Sequence, residues 1–427
     1  MNDLRFSVER WTGQGPDPER ITRGLLRIEA GGLCLTRNED AWSRSVGDAV
    51  HVSMYPLASW LVWNWWRLCY EPLPAGHVTT TWRCAHEMGA AGGGYLWPHL
   101  TFSSDGERIR VTGSPSPSSS REPVQYLRGS DSNVPIRPFQ EALRAFIDLV
   151  VARLKSNGIQ DSELERGWNE VSNELHDEQE LRSRRLEALL GLDPDDATPE
   201  RLEFLAELSR SAGEESAQEL AAIASEHDGK DLERLREAAL NGVGAVSSWR
   251  RNRQGESVAA LRRKAQDRLC LPWQRGLEVA RELRRIWGLG ADPLDDKGLE
   301  ERIGLAPGQL SSSKTGRGLS AALAIERDDG VKLILSSRPP VLRKFEAARL
   351  IGDLIGSPEA DRWHPATRAK TARQQYQRAF AAEFLCPVEG LRDRLQDRSE
   401  ESVSEAAAHF GVSEWAVQHQ IHNNLDP

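Results

Sequence analysis

From residue 1 to about 125, apolar and polar positions alternate in short runs. LLRIEAGGLCLTR, AVHVSMY, HVTTTWRC and HLTFSSDGERIRVTG each carry this two-residue period, with Gly-Gly and Asp-Gly as punctuation. Such alternation predicts strands joined by tight turns. One segment departs from it. YPLASWLVWNWWRLCYEP is apolar nearly all round and predicts a buried helix from about Leu57 to Tyr70, opened by Pro56 and stopped by Pro72. GSPSPSSSREP, Gly113 to Pro123, reads as a polar loop or linker. Beyond it the period changes to that of helices. PFQEALRAFIDLVVARLKSNG is amphipathic and ends at Gly158, LRSRRLEALLGLDPDD ends a helix at Gly191, and TPERLEFLAELSRSAG starts one with Thr198 as N-cap and Pro199 behind it.

The texture changes again at Pro272. PWQRGLEVARELRRIWGLG and KGLEERIGL predict two helices, and LSAALAIERDDGVKLILSS predicts a hairpin turning at Asp328-Asp329-Gly330. KFEAARLIGDLIG, Lys344 to Gly356, predicts the helix that follows, then TARQQYQRAFAAEFLCP and SVSEAAAHFGVSEWAVQHQI two more helical segments. The expected class is therefore α+β and mostly helical. It divides into an α+β domain over 1–125, a helical scaffold over 126–255 and a C-terminal domain over 256–427.

Composition narrows the class. Hydrophobic residues make up 39% and charged ones 28%, as in ordinary globular chains, with no run of about 18 apolar residues to cross a membrane. The segment MNDLRFSVERW has no charged-then-apolar leader pattern. Cys34, Cys69, Cys84, Cys270 and Cys386 form no CxxC pair and read as reduced thiols. A cytoplasmic location without membrane contact is expected. The net charge of −9 is uneven: residues 160–229 hold 20 acidic residues against 6 arginines, and residues 249–285 hold 11 Arg or Lys against 4 acidic residues. The plain reading is two solvated helical faces; the sharper one is a basic strip able to meet phosphate or an acidic partner.

Several motifs suggest chemistry. In the tryptophan helix, Trp60 and Arg67 share a face with Asn64 beside them, so core packing and an aromatic-lined ligand pocket are both open readings. AHEMG imitates the start of a zinc-binding HExxH, but Ala90 stands where the second His belongs and AAGGGY follows; His86 reads as a loop histidine. SSSKTGRG, Ser311 to Gly318, lacks phosphate-loop spacing and reads as a flexible loop. EAAAHFGVSEWAVQHQI resembles a helix-turn-helix, with Gly411 as the turn and Ser413 as cap. Trp415, Gln418, His419 and His422 would then face outward, either on a structural tail or against DNA.

Taken in order, GLEVARELRRIWGLG, the hairpin, KFEAARLIGDLIG, RAFAAEFLCP and FGVSEWAV over residues 272–425 resemble the ImmA/IrrE family of zinc metallopeptidases. The resemblance implies a zincin-like C-terminal domain behind a long N-terminal extension. It also places the departures on the chemistry. Arg349 takes the position of the first zinc-binding His, Leu350 that of the general-base Glu, and Asp353 that of the second His, while Tyr376 stands near the further acidic ligand. Catalytic zinc needs three protein ligands, and its water needs a base; Leu350 supplies no base and Arg349 a repelling cation. An inactive, cofactor-free pseudo-peptidase is expected, with Arg349 and Asp353 paired to each other or to neighbours as a clasp. The resemblance implies a sensor, scaffold or regulator in stress response, toxin-antitoxin or phage-defence control. Its partner would be a protein or extended peptide in the old groove, by edge addition to VKLILSS. Alternatives are a DNA-binding regulator, a residual hydrolase near Asn64, Arg67 and His86, and an improvised metal site from Asp353, Glu359 and His364. The oligomeric state is not legible.

Overall fold

The computed structural model describes residues 4–224, 230–242, 244–249, 255–311, 316 and 318–425. Helix accounts for 51% and strand for 17%, so the chain is α+β and mostly helical. No helix among the described residues is long and apolar enough to cross a membrane. Two compact units divide the chain, Met1–Leu202 and Glu203–Pro427. The helical stretch expected as a separate scaffold over 126–255 is shared between them. The apolar stripe of the Ile136–Ser156 helix, Phe139, Leu143, Phe146, Ile147 and Val150, is part of the N-terminal core, which draws that helix into the first unit.

The first unit holds three small sheets. Arg23–Ala30 pairs antiparallel with Leu4–Trp11, Leu33–Cys34 and Val50–Ser53, and the Gly31-Gly32 turn uses two left-handed glycines. His99–Ser104, Arg108–Ser114 and Ser130–Pro135 form the second, with Gly106 at its predicted turn, and short strands at 38–40, 45–47 and 124–126 form the third. Two expectations fail here. HVTTTWRC is not a strand: Thr80–His86 is a helix, because the Thr79 hydroxyl accepts from Trp82 N–H and the turn then buries Trp82, Ala85 and His86 together. The tryptophan segment is two helices, Met54–Trp63 and Trp65–Tyr70, parted at Asn64, whose side chain donates to Trp60 O at 2.8 Å.

In the second unit a four-stranded antiparallel sheet runs Ala245–Ser247, Gly330–Ile334, Ala322–Arg327, Trp363–Ala366. The predicted hairpin is its centre. Helices Pro272–Ile286, Pro340–Gly356 and Ala372–Leu385 contribute Val279, Leu350, Leu354, Phe380 and Phe384 to one apolar core. The chain then runs through Val388–Arg394, Glu400–Phe410 and Glu414–Asn424. Gly411, at φ 62°, ends the middle helix, and Ser413 caps the last, as the helix-turn-helix pattern predicts. Residues 312–315 and 317 of the Ser311–Gly318 loop, and Arg250, Arg251 and Arg253 of the basic strip, lie outside the described residues.

Candidate functional site

The helix Pro340–Gly356 opens with proline at its first turn and buries most of its length. Two glycines set how closely it meets the helix Ala372–Leu385. A Cβ on Gly352 would lie 2.7 Å from the Phe380 ring, and one on Gly356 would lie 2.9 Å from the Tyr376 ring. The absence of both carbons lets the rings rest against the backbone. This close approach brings the polar residues of the two helices together inside the unit.

Asp353 is 1% exposed. Arg373 grips it through both oxygens, with Nε donating to Oδ1 at 2.8 Å and Nη2 to Oδ2 at 2.6 Å. Such a two-bond fork is the strongest arrangement a guanidinium offers a carboxylate. Nη1 of the same arginine donates to Asp361 Oδ2 at 2.7 Å. The Ser216 hydroxyl, from the helix Glu214–Ala224, lies between Asp361 and the Trp363 carbonyl. His364 approaches Asp353 Oδ2 at 3.5 Å through Nδ1, and its Nε2 lies 3.1 Å from Glu326. Burial alone would raise the Asp353 pKa, but the Arg373 charge and the His364 bond outweigh it, holding the carboxyl well below its usual range.

Arg349 belongs to a second, adjoining set. Its Nη2 donates to Thr367 O at 2.7 Å and to Gln374 Oε1 at 2.5 Å. Gln374 donates onward through Nε2 to Glu219 at 2.9 Å and to Pro365 O at 3.0 Å, and Thr371 donates to the same Glu219 oxygen at 2.7 Å. Burial, then the neighbouring Arg378 cation, pull Arg349 down to about 9, so it stays charged at neutral pH. Burial pushes the Glu219 carboxyl up, against the opposing pull of Arg373, Thr371 and Gln374.

Of the two pairings expected for Arg349 and Asp353, with each other or with neighbours, the structure makes the second. Each is clasped by a residue of the Ala372–Leu385 segment or the loop before it, because both sit on the side of the helix that faces those groups. Leu350 is fully buried in the core, and the Tyr376 hydroxyl is buried with no hydrogen-bond partner. The expectation that these four positions form a partner-contact floor is corrected by that burial: none of them presents a surface. The improvised metal trio is not assembled either. Asp353 and His364 meet, but Glu359 is exposed and pairs with Arg262. Among the described residues no three His, Cys, Asp or Glu side chains gather as a metal site. Edge addition to VKLIL is also blocked, since Ala245–Ser247 already pairs along Val331–Leu333.

In the first unit the candidate pocket is packed shut. Trp60 is buried with Nε1 donating to Cys84 O at 2.8 Å, and Arg67 is buried against Glu71 at 2.7 Å and Asp193 at 3.1 Å. His86 is not a loop histidine but ends the Thr80–His86 helix. Its two ring nitrogens lie 2.9 Å from Glu71 and 2.8 Å from Phe102 O, and its ring stacks on Trp82 at 4.2 Å. Core packing is the outcome for all three.

At the C-terminal end, Trp415, Gln418, His419 and His422 do face outward. Trp415 and His419 rings lie 3.9 Å apart, and both border a cavity of about 450 Å³. The basic strip is less free than its sequence suggests. Arg284 donates to the carbonyls of Gly290, Phe384 and Asp292, Arg281 pairs with Glu383 at 2.8 Å, and Arg285 pairs with Glu282 at 2.5 Å. Ser216, Glu219 and Arg373 were missed from sequence. The only signal was the run of polar residues on an otherwise buried helix, TARQQYQR, and the distant partners in ESAQE carry no local signal at all. Compared with protein-family models, with curated proteins and with solved structures, the chain gives no significant match.

Proposed function

We propose that the chain is a non-catalytic regulator whose second unit keeps a metallopeptidase-like frame, of the zincin type, for binding rather than cutting. The observation that supports this is the network at Arg349 and Asp353. Both oxygens of Asp353 are taken by Arg373, a guanidinium stands at the first ligand position, and an aliphatic side chain stands at the base position. A hydrolytic metal centre needs open ligands, a polarised water and a proton acceptor, and each of these places holds a group of the opposite character. The partner is another protein, held on an exposed surface, in the setting of stress response, toxin-antitoxin or phage-defence control that the resemblance implies.

Two measurements test this reading. Purified protein incubated with zinc and then desalted is expected to hold far less than one ion per chain and to leave unstructured protein substrates uncut. Capture from the native host with the full chain is expected to recover one partner intact. About one zinc per chain with chelator-sensitive cleavage, or recovery of that partner as fragments, overturns the proposal.

DNA binding is the second reading, favoured by the outward placement of Trp415, Gln418, His419 and His422 on the last helix. It requires duplex affinity that falls steeply with salt. The paired state of Arg281 and Arg285 and the burial of Arg284 weigh against it.

A further inference from the structure

Four helices of the second unit, Pro272–Ile286, Pro340–Gly356, Ala372–Leu385 and Glu414–Asn424, converge on the 450 Å³ cavity, which the ion network does not line. Its size falls within the range of small-molecule sites. Leu277 and Phe345 form apolar wall. Two indoles stand at it and stay in water, Trp273 at 40% and Trp415 at 58% exposure. A single exposed tryptophan is unremarkable, but two on one cavity offer flat faces for a ring. His419 packs on Trp415; burial, then the His422 charge, lower its pKa, so at neutral pH it adds a ring and not a cation.

The charge at the cavity is one-sided. Arg378 lines it, and none of the lining residues is acidic. Its Nη2 donates to Ala369 O at 2.6 Å and reaches Thr367 O at 3.5 Å; among the described residues the rest of the fork has no protein partner, and no carboxylate lies within ion-pair distance. A guanidinium drawn partly out of water, bonded only to carbonyls and helped by Glu219 only from beyond ion-pair distance, is under-compensated. Amides of Gln375, Asn423 and Asn424 border the same space and can accept or donate without changing its charge.

We propose that this cavity binds a small organic carboxylate with a flat aromatic body, its carboxylate on Arg378 and its ring against Trp415 and Trp273. A carboxylate matches the Nε and Nη1 donors that Arg378 leaves open, and the indole faces select a planar apolar body over a hydrated inorganic anion. The inference goes beyond the non-catalytic reading and does not depend on it: Arg378 shares the Thr367 carbonyl with Arg349, but none of Arg349, Asp353, Arg373, Gln374 or Glu219 lines the cavity.

The test uses the full chain and three matched probes: 2-naphthoate, 2-naphthylmethanol and 2-naphthylmethylammonium, titrated by calorimetry with saturation-transfer NMR. The naphthoate is expected to bind saturably, the alcohol about tenfold more weakly and the ammonium weaker still. Arg378→Gln is expected to erase the preference of the naphthoate over the alcohol. Trp415→Ala should weaken both by a similar factor. Asn423→Asp changes an exposed residue at the cavity, so it reads charge without disturbing the core; it should weaken the naphthoate about tenfold and spare the alcohol. Absence of saturable naphthoate binding, equal binding of the three probes, or an unchanged preference in Asn423→Asp overturns the proposal.

Discussion

Asp353 holds two neighbours of unequal reach, with the Arg373 fork on both oxygens and the His364 ring near one. Replacing it by Asn leaves the buried Arg373 guanidinium with Asp361 as its one carboxylate in direct contact, beside the neutral Ser216 hydroxyl. Breaking a buried pair from one side costs about 3–5 kcal/mol, and Asp353→Asn is expected to lose that much in urea unfolding at neutral pH. The sign with pH follows from the depressed carboxyl. Its contribution is full above the usual carboxylate range and is lost as pH falls through that range toward the folded value. The gap between native protein and Asp353→Asn should therefore shrink below about pH 4; a gap that stays constant or widens in acid refutes the assignment. Glu219 has the opposite sign. Burial makes the folded carboxyl hold its proton more tightly than the unfolded one, so it costs stability as pH rises between the two values. Glu219→Gln retains an acceptor for Thr371 and Gln374, and its stability relative to the native protein should rise from pH 4 to pH 7. A difference independent of pH speaks against a buried, proton-favouring site. Leu350→Glu, which restores the residue a peptidase would carry there, should unfold the unit rather than awaken it, because the new carboxylate has no buried partner.

Between elements, the decisive contact is the crossing of the Pro340–Gly356 and Ala372–Leu385 helices. Gly352→Ala puts a methyl 2.7 Å from the Phe380 ring, and overpacking of this kind costs about 1–3 kcal/mol; a denaturant midpoint equal to that of the native protein would sink this account of the crossing. The short strand Ala245–Ser247 has a different task, covering one side of Gly330–Ile334. Replacing those three residues by Gly-Ser-Gly should speed amide exchange at Val331 to Leu333, as expected of a sheet edge left open. These elements also show where sequence reading succeeds. Helices announced by a local cap were legible: Thr198 and Ser413 each accept from a backbone N–H in the first turn that follows. Thr80–His86 was not, because three consecutive threonines favour a strand locally and only the burial of Trp82 and His86 reverses that preference. Ala245–Ser247 and Trp363–Ala366 were missed for a related reason. Each is too short to show a period, and each is a strand only because a distant hairpin offers it hydrogen bonds.

At the scale of the chain, the sequence made the substituted positions Arg349, Leu350 and Asp353 visible, but not their partners. Arg373 lies 20 residues from Asp353, and Gln374 lies 25 residues from Arg349; nothing in either segment names the other. The cavity at Trp415 was half legible, as an outward helix face, while its cation Arg378 stands on another helix. One consequence of the ion network concerns heat. Arg349, Asp353, Asp361, Arg373 and Glu219 all lie largely out of water. The hydration that such groups give up becomes less favourable on warming, whereas the gain from apolar burial levels off. A core that carries this many withdrawn ionisable groups is expected to weaken less on heating than an aliphatic core of equal size, and to be comparatively disadvantaged in the cold.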